Sequence, residues 1–539
     1  MMKKAIKKLL AALLAVAMVC AMAIPAFAYN SGETKEDLNT KHEYDAFQIF
    51  TGDVTGNNID DFKISNANWG ESITKPNEFL AQLTEDLTIG GKFNNPTTAQ
   101  DVLAVISQWG DSDDNSIAFA RVVCSYLYPD ADAKPEPVAR GGHTGGIKVP
   151  KPGYYLIVDT SSFNKDDFYH AYNSFLLKVT KAEYVFNINY KVVKPTVEKE
   201  VHDNDNNDIG STGGWGSSAD HAINEPFQFR LIAKLPASEN NGRAYDYYKK
   251  YTVCFNDTLS DGITFDKLDK VEIANVDGST PQEITNTHYK LDKDGPPSSF
   301  KLRIDDVKTC ASGLNLNNGA TITVTYTAHL NETAYVNTAG GDTKNKNSVF
   351  LQYSNNPRID TSLDKTTTSD VCVYTYQLNN TKHQDSENGP VLEGAGFRLY
   401  SGKDCTKEQE IKLKKNTTDG TYSPYFGTDA GDEMISGQDG QFNVKGLDAG
   451  TYYLRETKTP DDYSACPDTT IVISATHDVY HVSLSGDSNL NNKIINKKAG
   501  GITLPSTGGI GTTIFYVVGG GLMVAAIVLL VTKKRMENK

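Results

Sequence analysis

Cysteine is scarce in this chain, seven in 539 residues, and no two stand in a CxxC pair. That spacing excludes a zinc ribbon and a dense disulfide framework, and leaves room for a single bridge such as Cys405 to Cys466. Catalytic signatures are missing as well. There is no Gly-x-Ser-x-Gly elbow, no His-Glu-x-x-His pair and no Walker-type loop, and the ten histidines are scattered without ligand spacing. A secreted hydrolase would need paired acids in a cleft, and no such constellation can be read, so the chain is not expected to be an enzyme. Asp203-Asn204-Asp205-Asn206-Asn207-Asp208 mimics the start of a calcium loop. Asp208 stands where that loop needs glycine, however, and Gly214 where it needs glutamate. The stretch therefore reads as a solvated turn, and no metal or cofactor is expected. Basic charge is in deficit too: 53 lysines and arginines face 67 aspartates and glutamates. So acidic a body is a poor partner for nucleic acid and stays soluble.

The two ends carry addresses. Four lysines lie within residues 1–8, an apolar stretch covers residues 9–24, and Ala26-Phe27-Ala28 supplies a small-x-small cleavage site. Residues 1–28 thus read as a secretory signal peptide, and the exported chain is expected to begin at Tyr29. Near the other end Leu504-Pro505-Ser506-Thr507-Gly508 precedes the uncharged run 514–531 and the tail Lys533-Lys534-Arg535. Eighteen helical residues at about 1.5 Å each nearly span a hydrocarbon core of roughly 30 Å, and the basic tail holds the end on the cytoplasmic side. Together these features of residues 500–539 resemble the cell-wall sorting signal of Gram-positive surface proteins. The resemblance implies that a sortase cuts between Thr507 and Gly508 and joins Thr507 to an amine.

What lies between is too long for one core, and about three domains are expected. In the first, residues 29–194, Ala46-Phe47-Gln48-Ile49-Phe50 and Gly153-Tyr154-Tyr155-Leu156-Ile157-Val158 read as strands. Residues 98–128 have helical spacing, broken by the polar cluster at 111–115 into two short helices. Residues 195–370 and 371–499 show short alternating strands with turn-rich spacing, and helical periodicity is scarce after residue 190. The fold class is mainly β: tandem immunoglobulin-like sandwiches, with some helix in the first domain and a transmembrane helix at the end.

Inside the third domain, Tyr374-Thr375-Tyr376-Gln377-Leu378-Asn379-Asn380-Thr381-Lys382 leads into Leu392-Glu393-Gly394-Ala395-Gly396-Phe397. Gly450-Thr451-Tyr452-Tyr453-Leu454-Arg455-Glu456-Thr457-Lys458 follows, then Lys493-Ile494-Ile495-Asn496-Lys497. These segments resemble the opening strand, E-box and closing strand of the Cna protein B-type module. There a first-strand lysine bonds covalently to a last-strand asparagine with help from the E-box glutamate. The resemblance assigns those roles to Lys382, Asn496 and Glu456. Its chemistry is physically coherent: burial lowers a lysine's pKa and raises a carboxyl's, so a neutral amine and a protonated acid can coexist beside an amide. Attack then expels ammonia, with proximity supplying the acceleration.

The second domain resembles the middle domain of sortase-assembled pilins, in which lysine, aspartate and asparagine form the same bond. By that resemblance the roles fall to Lys199, Asp257 and Asn347, with Asn345 a near alternative. Asp159 stands six residues after Gly153, as Glu456 does after Gly450, but no lysine partner can be named for it. Backbone pilins also place a linking lysine between their first two domains, commonly within Tyr-Pro-Lys. Here Val193-Lys194-Pro195 has the proline after the lysine; Lys194 is the candidate and Lys191 the second.

Taken whole, the chain resembles the backbone subunit of a covalent, sortase-assembled Gram-positive pilus. That resemblance implies secretion and anchoring to peptidoglycan at the cell surface. Its implied partners are a class C-type pilus sortase and a housekeeping sortase, copies of itself in a head-to-tail fibre, and ancillary pilins. A minor pilin or singly wall-anchored adhesin, which never polymerises, is the alternative.

Overall fold

The computed structural model describes residues 42–499, except 57–60, 111–112, 131–132, 134, 143–144, 162–171, 173, 187–193, 205–213, 239–242, 294–298 and 486–487. The signal peptide, Leu504 to Gly508, the apolar run 514–531 and Lys191 lie outside the described residues. Among the described residues no helix is long and apolar enough to cross a membrane.

The chain is mainly β. Its first sheet is built around the long strand Glu43–Thr55, which pairs antiparallel with Lys63–Trp69, Ala139–Gly142 and Gly153–Asp159. Gly153–Asp159 is buried at every position, which explains its unbroken apolar run: both faces of this sheet are covered. One face packs Phe47, Phe50 and Leu156 against helices, and the other gathers Tyr44, Ala46, Tyr155 and Ile157 with Ile147 and Val149. The helices Ala99–Ile106 and Asp114–Leu127 match the two expected from spacing. Thr98 opens the former with a reciprocal cap, in which its hydroxyl accepts from the Asp101 amide and its own amide donates to the Asp101 carboxylate. A third helix, Pro76–Glu85, buries Phe79, Leu80 and Leu83. Its signal was Pro76 at the first turn, with an apolar i, i+4 pair behind it.

Residues 196–374 form a two-sheet sandwich. One sheet orders Ile263–Asn275, Ala320–Leu330, Pro226–Leu235 and Thr196–His202; the other orders Ser218–Asp220, Ser369–Tyr374, Lys346–Ser354, Val253–Leu259 and Phe300–Ile304. Pro226–Leu235 alternates between buried and more exposed positions, sending Phe227, Phe229, Leu231, Ala233 and Leu235 into the core. Thr375 alone separates Ser369–Tyr374 from Tyr376–Gln384, the first strand of the last sandwich. In that sandwich Tyr376–Gln384 runs parallel to the closing strand Asn491–Lys498, and Gly396–Tyr400 pairs antiparallel with Gly450–Lys458 across the core. After residue 194, helix among the described residues is confined to short 3-10 turns such as Ala244–Tyr247 and Leu316–Asn318.

Two sequence expectations are corrected. Asp203 does not sit on a solvated turn: it is buried and faces Asp220 and His477 from the end of Thr196–His202, while Asn204 is exposed. Cys405 and Cys466 are both free thiols. The Cys405 sulfur turns to the Asp468 carboxylate, whereas Cys466 sits beside Glu456 and donates its backbone N–H to it.

Candidate functional site

Alternation sends every second residue of a strand inward, and in two places that inward residue is a lysine. In Thr196–His202 it is Lys199, whose side chain has no exposed surface. Across the core, Val253–Leu259 and Lys346–Ser354 pair antiparallel with Leu259 opposite Asn347 and Asp257 opposite Val349. The pleat therefore puts Asp257 and Asn347 on the same inner face, as diagonal neighbours. Lys199 donates to both Asp257 carboxylate oxygens, at 2.7 and 2.6 Å, and to the Tyr326 hydroxyl at 3.1 Å. Tyr326 donates in turn to Asp257 at 2.9 Å and accepts from the Asn347 amide nitrogen at 2.5 Å.

Around this cluster the medium is apolar and aromatic. The Lys199 ammonium lies 5.3 Å from the centre of the Phe229 ring and 5.4 Å from that of Tyr326. Burial pushes the Lys199 amine down to about 8, against the pull of Asp257, and raises the Asp257 carboxyl against the pull of Lys199. Each shift favours the neutral form. The Asn347 side-chain carbonyl is buried and accepts no hydrogen bond among the described residues. Such an orphan carbonyl carries a desolvation cost of about 1–3 kcal/mol. A half-turn of the amide would present it to the Tyr326 hydroxyl.

In the last sandwich the lysine and asparagine come from adjacent strands. Lys382 pairs with Ile494 and Gln384 with Asn496. The Lys382 amine donates to the Asn496 carbonyl oxygen at 2.5 Å, and the Asn496 amide nitrogen donates to Glu456 Oε1 at 2.7 Å. Glu456 reaches in from the facing sheet, 3.7 Å from the lysine. Its second oxygen accepts from the Cys466 amide at 2.9 Å and the Thr459 hydroxyl at 3.3 Å. All three side chains are buried. Burial lowers the Lys382 pKa, with Cys466 and Glu456 opposing.

The structure thus brings together Lys199, Asp257 and Asn347, and separately Lys382, Glu456 and Asn496. Asn345 is engaged elsewhere, since its amide accepts from the Tyr335 N–H and donates to the Tyr335 and Val373 carbonyls. In the first sheet Asp159 faces His42 at 2.7 Å and Ser161 at 2.5 Å, with His42 and Asp159 both buried. Lys194 is half-buried just ahead of Pro195 and the strand Thr196–His202. Sequence reading missed Tyr326, the hub of the middle cluster. Its signal was the alternation Ile322, Val324, Tyr326, which puts a hydroxyl on an otherwise apolar inner face. It missed Cys466 and Thr459 as well, because a loop delivers them.

Residues 377–488 match the SpaA family, a prealbumin-like fold domain, and residues 496–538 match the LPXTG cell wall anchor motif. The chain therefore carries a cell wall anchor motif directly behind its last sandwich. No curated protein matches the chain. Among solved structures, the T6 backbone pilin of serotype M6 Streptococcus pyogenes is similar at 15% identity over 86% of this chain and 97% of that one, with a TM-score of 0.44. The full-length major pilin SpaD from Corynebacterium diphtheriae is similar at 19% identity over 65% and 80%, with a TM-score of 0.38. BcpA, the major pilin subunit of Bacillus cereus, is similar at 16% identity over 69% and 90%, with a TM-score of 0.37.

Proposed function

We propose that this chain is a structural rather than enzymatic protein, the backbone subunit of a covalent cell-surface pilus. The observation that carries the reading is the presence of two buried lysine–acid–asparagine clusters in a chain that ends in a cell wall anchor motif. A buried lysine and carboxylate are expensive to keep as a mere ion pair. In the last sandwich the amine contacts the amide oxygen directly, and in the middle one amine and amide meet on the same Tyr326 hydroxyl, arrangements suited to reaction.

In the last sandwich the neutral Lys382 amine attacks Cγ of Asn496. The Nζ–Cγ bond forms and the Cγ–Nδ2 bond breaks. One amine proton is passed by way of Glu456 to the departing nitrogen, which leaves as ammonia. In the middle sandwich Asp257 has Glu456's part toward Lys199 and Asn347, and Tyr326 polarises the amide. These bonds tie the first strand of each sandwich to a late one, Lys346–Ser354 in the middle and Asn491–Lys498 in the last, so a pulling force cannot unzip the segment between the bonded residues.

Intersubunit linkage uses the other end of the chain. A sortase breaks the Thr507–Gly508 peptide bond and transfers the Thr507 carbonyl to the amine of Lys194 in the next copy, releasing the residues from Gly508 onward. Donor and acceptor are different groups far apart in the sequence, so the contact is heterologous and propagates a fibre. The last copy is transferred to peptidoglycan.

The test is electrophoresis of cell-wall extracts from the native host under denaturing, reducing conditions. A ladder of high-mass species that collapses to monomer in Lys194→Arg supports the reading. A wall-bound monomer with no ladder overturns the backbone assignment and leaves a singly anchored surface protein.

A further inference from the structure

Where the middle and last sandwiches meet there is a second buried polar cluster that the lysine–asparagine chemistry does not use. The two sandwiches are joined tightly there: the Ile223 amide donates to the Gly446 carbonyl at 3.0 Å, and Asn224 donates to the Pro424 carbonyl at 3.0 Å. Asp203 and Asp220 come from the middle sandwich, His477 comes from the last, and none of the three side chains has exposed surface.

The distances are informative. His477 Nε2 lies 3.6 Å from Asp203 Oδ2 and 3.6 Å from Asp220 Oδ1. Both are too long for a direct hydrogen bond, unlike the 2.7 Å between His42 and Asp159 in the same chain. They do match the separation of two ligands on one ion: donors about 2.1 Å from a tetrahedral zinc stand roughly 3.4 Å apart. One donor atom from each of the three residues falls within 4.8 Å of the others.

The outer contacts fit the same arrangement. His477 Nδ1 is 2.9 Å from the Ser218 hydroxyl, and the Tyr376 hydroxyl donates to the second oxygen of Asp220 at 2.7 Å. With Nδ1–H donating to Ser218, Nε2 turns its lone pair to the two carboxylates; such an outer hydrogen bond commonly fixes a metal-binding imidazole. The Tyr374 ring stacks on the imidazole at 5.5 Å and holds its plane. Charge points the same way. A divalent cation would balance two buried carboxylates and take the His477 imidazole neutral, with His221 a further titratable group acting on Asp220.

We propose that Asp203, Asp220 and His477 form a structural site for a divalent transition cation, with zinc the ion their ligand set matches, clamping the middle sandwich to the last. One imidazole and two carboxylates suit zinc better than calcium, which takes six to eight oxygens. The clamp would be noncovalent, between segments that the lysine–asparagine bonds stiffen only internally.

The experiment uses the full-length purified chain, stripped with chelator and returned to zinc, with metal content and thermal unfolding as readouts. One equivalent of zinc retained through dialysis is expected, with an unfolding temperature a few degrees above that in chelator. Both effects should disappear in His477→Gln and in Asp203→Asn, whose circular dichroism should remain that of the parent. Should one of these variants not fold, the other, or Asp220→Asn, decides. No retained zinc in the parent overturns the site, as does equal zinc retained by folded variants. An equal thermal shift with calcium overturns the choice of ion.

Discussion

Lys382 and Asn496 are 114 residues apart in sequence, yet the lysine amine lies 2.5 Å from the asparagine carbonyl oxygen. The register of two parallel strands, the first and last of the sandwich, sets that approach. A bond there closes a loop around almost the whole domain.

The first prediction concerns mass. The exported chain, residues 29–507, should weigh two ammonias less than its sequence. Lys382→Ala and Lys199→Ala should each restore one. Glu456→Gln should also restore one while keeping both reacting side chains, which separates chemistry from mere loss of the lysine. By analogy with a cross-link closing a loop of about 100 residues, losing the bond should lower stability by roughly 4–5 kcal/mol. Intact mass spectrometry and calorimetry on the same samples check both effects. An undiminished parent mass removes the covalent reading.

Much of this was legible because strand alternation and the resemblance act on the same residues. Lys199, Asp257, Lys382, Glu456 and Asn496 lie on strands whose local pattern already points them inward. Tyr326 and Cys466 were not legible for different reasons. Tyr326 looks like any inward aromatic until its neighbours across the core are known. Cys466 reaches Glu456 by a loop whose path depends on tertiary packing. The buried Asp203 was misread because the following run of asparagines and aspartates has the composition of a turn, whereas the buried group it faces, His477, lies 274 positions later.

The second prediction is a pH profile. In the middle cluster the reactive state holds one proton between Lys199 and Asp257, on the acid rather than the amine. That proton count equals that of the ion pair, so the rate of bond formation should be flat across the range where the pair carries one proton. Burial brings Lys199 down to about 8 and raises Asp257. Above about pH 8 the pair loses its last proton, the acid is gone and the rate should fall. Below the raised pKa of Asp257 the pair gains a second proton, the amine is capped and the rate should fall again. Mass-resolved time courses on freshly synthesised chain check the sign. A rate that climbs steadily through pH 8 to 10 would show that amine deprotonation alone governs the step.

Tyr326 offers a third prediction. Its hydroxyl accepts from Lys199 and Asn347 and donates to Asp257, while its ring packs on Phe229, Phe265 and Phe300. Tyr326→Phe keeps the packing and removes the hub. Losing roughly 1.5 kcal/mol of charge-assisted hydrogen bonding in the transition state corresponds to about a tenfold slower reaction. The ammonia deficit of the middle sandwich should therefore appear later, while that of the last sandwich keeps its time course. If both slow together, the substitution has disturbed folding rather than the cluster.

The fourth prediction tests the join between the two sandwiches. Gly446 has φ +84°, and a Cβ there would lie 2.4 Å from the Ile223 side chain. An L-residue at this position meets strain from the backbone and a clash from the neighbour together, which puts Gly446→Ala at about 2–4 kcal/mol. Ile223 belongs to the middle sandwich and Gly446 to the last, so the strain is best relieved by parting them. The Ile223 amide, which donates to the Gly446 carbonyl, should then exchange its hydrogen faster, while amides within Pro226–Leu235, inside the middle sheet, keep their protection. The mass deficit of two ammonias should survive, because neither reacting cluster touches Gly446. Faster exchange throughout the middle sheet would instead show that the sandwich itself depends on this contact.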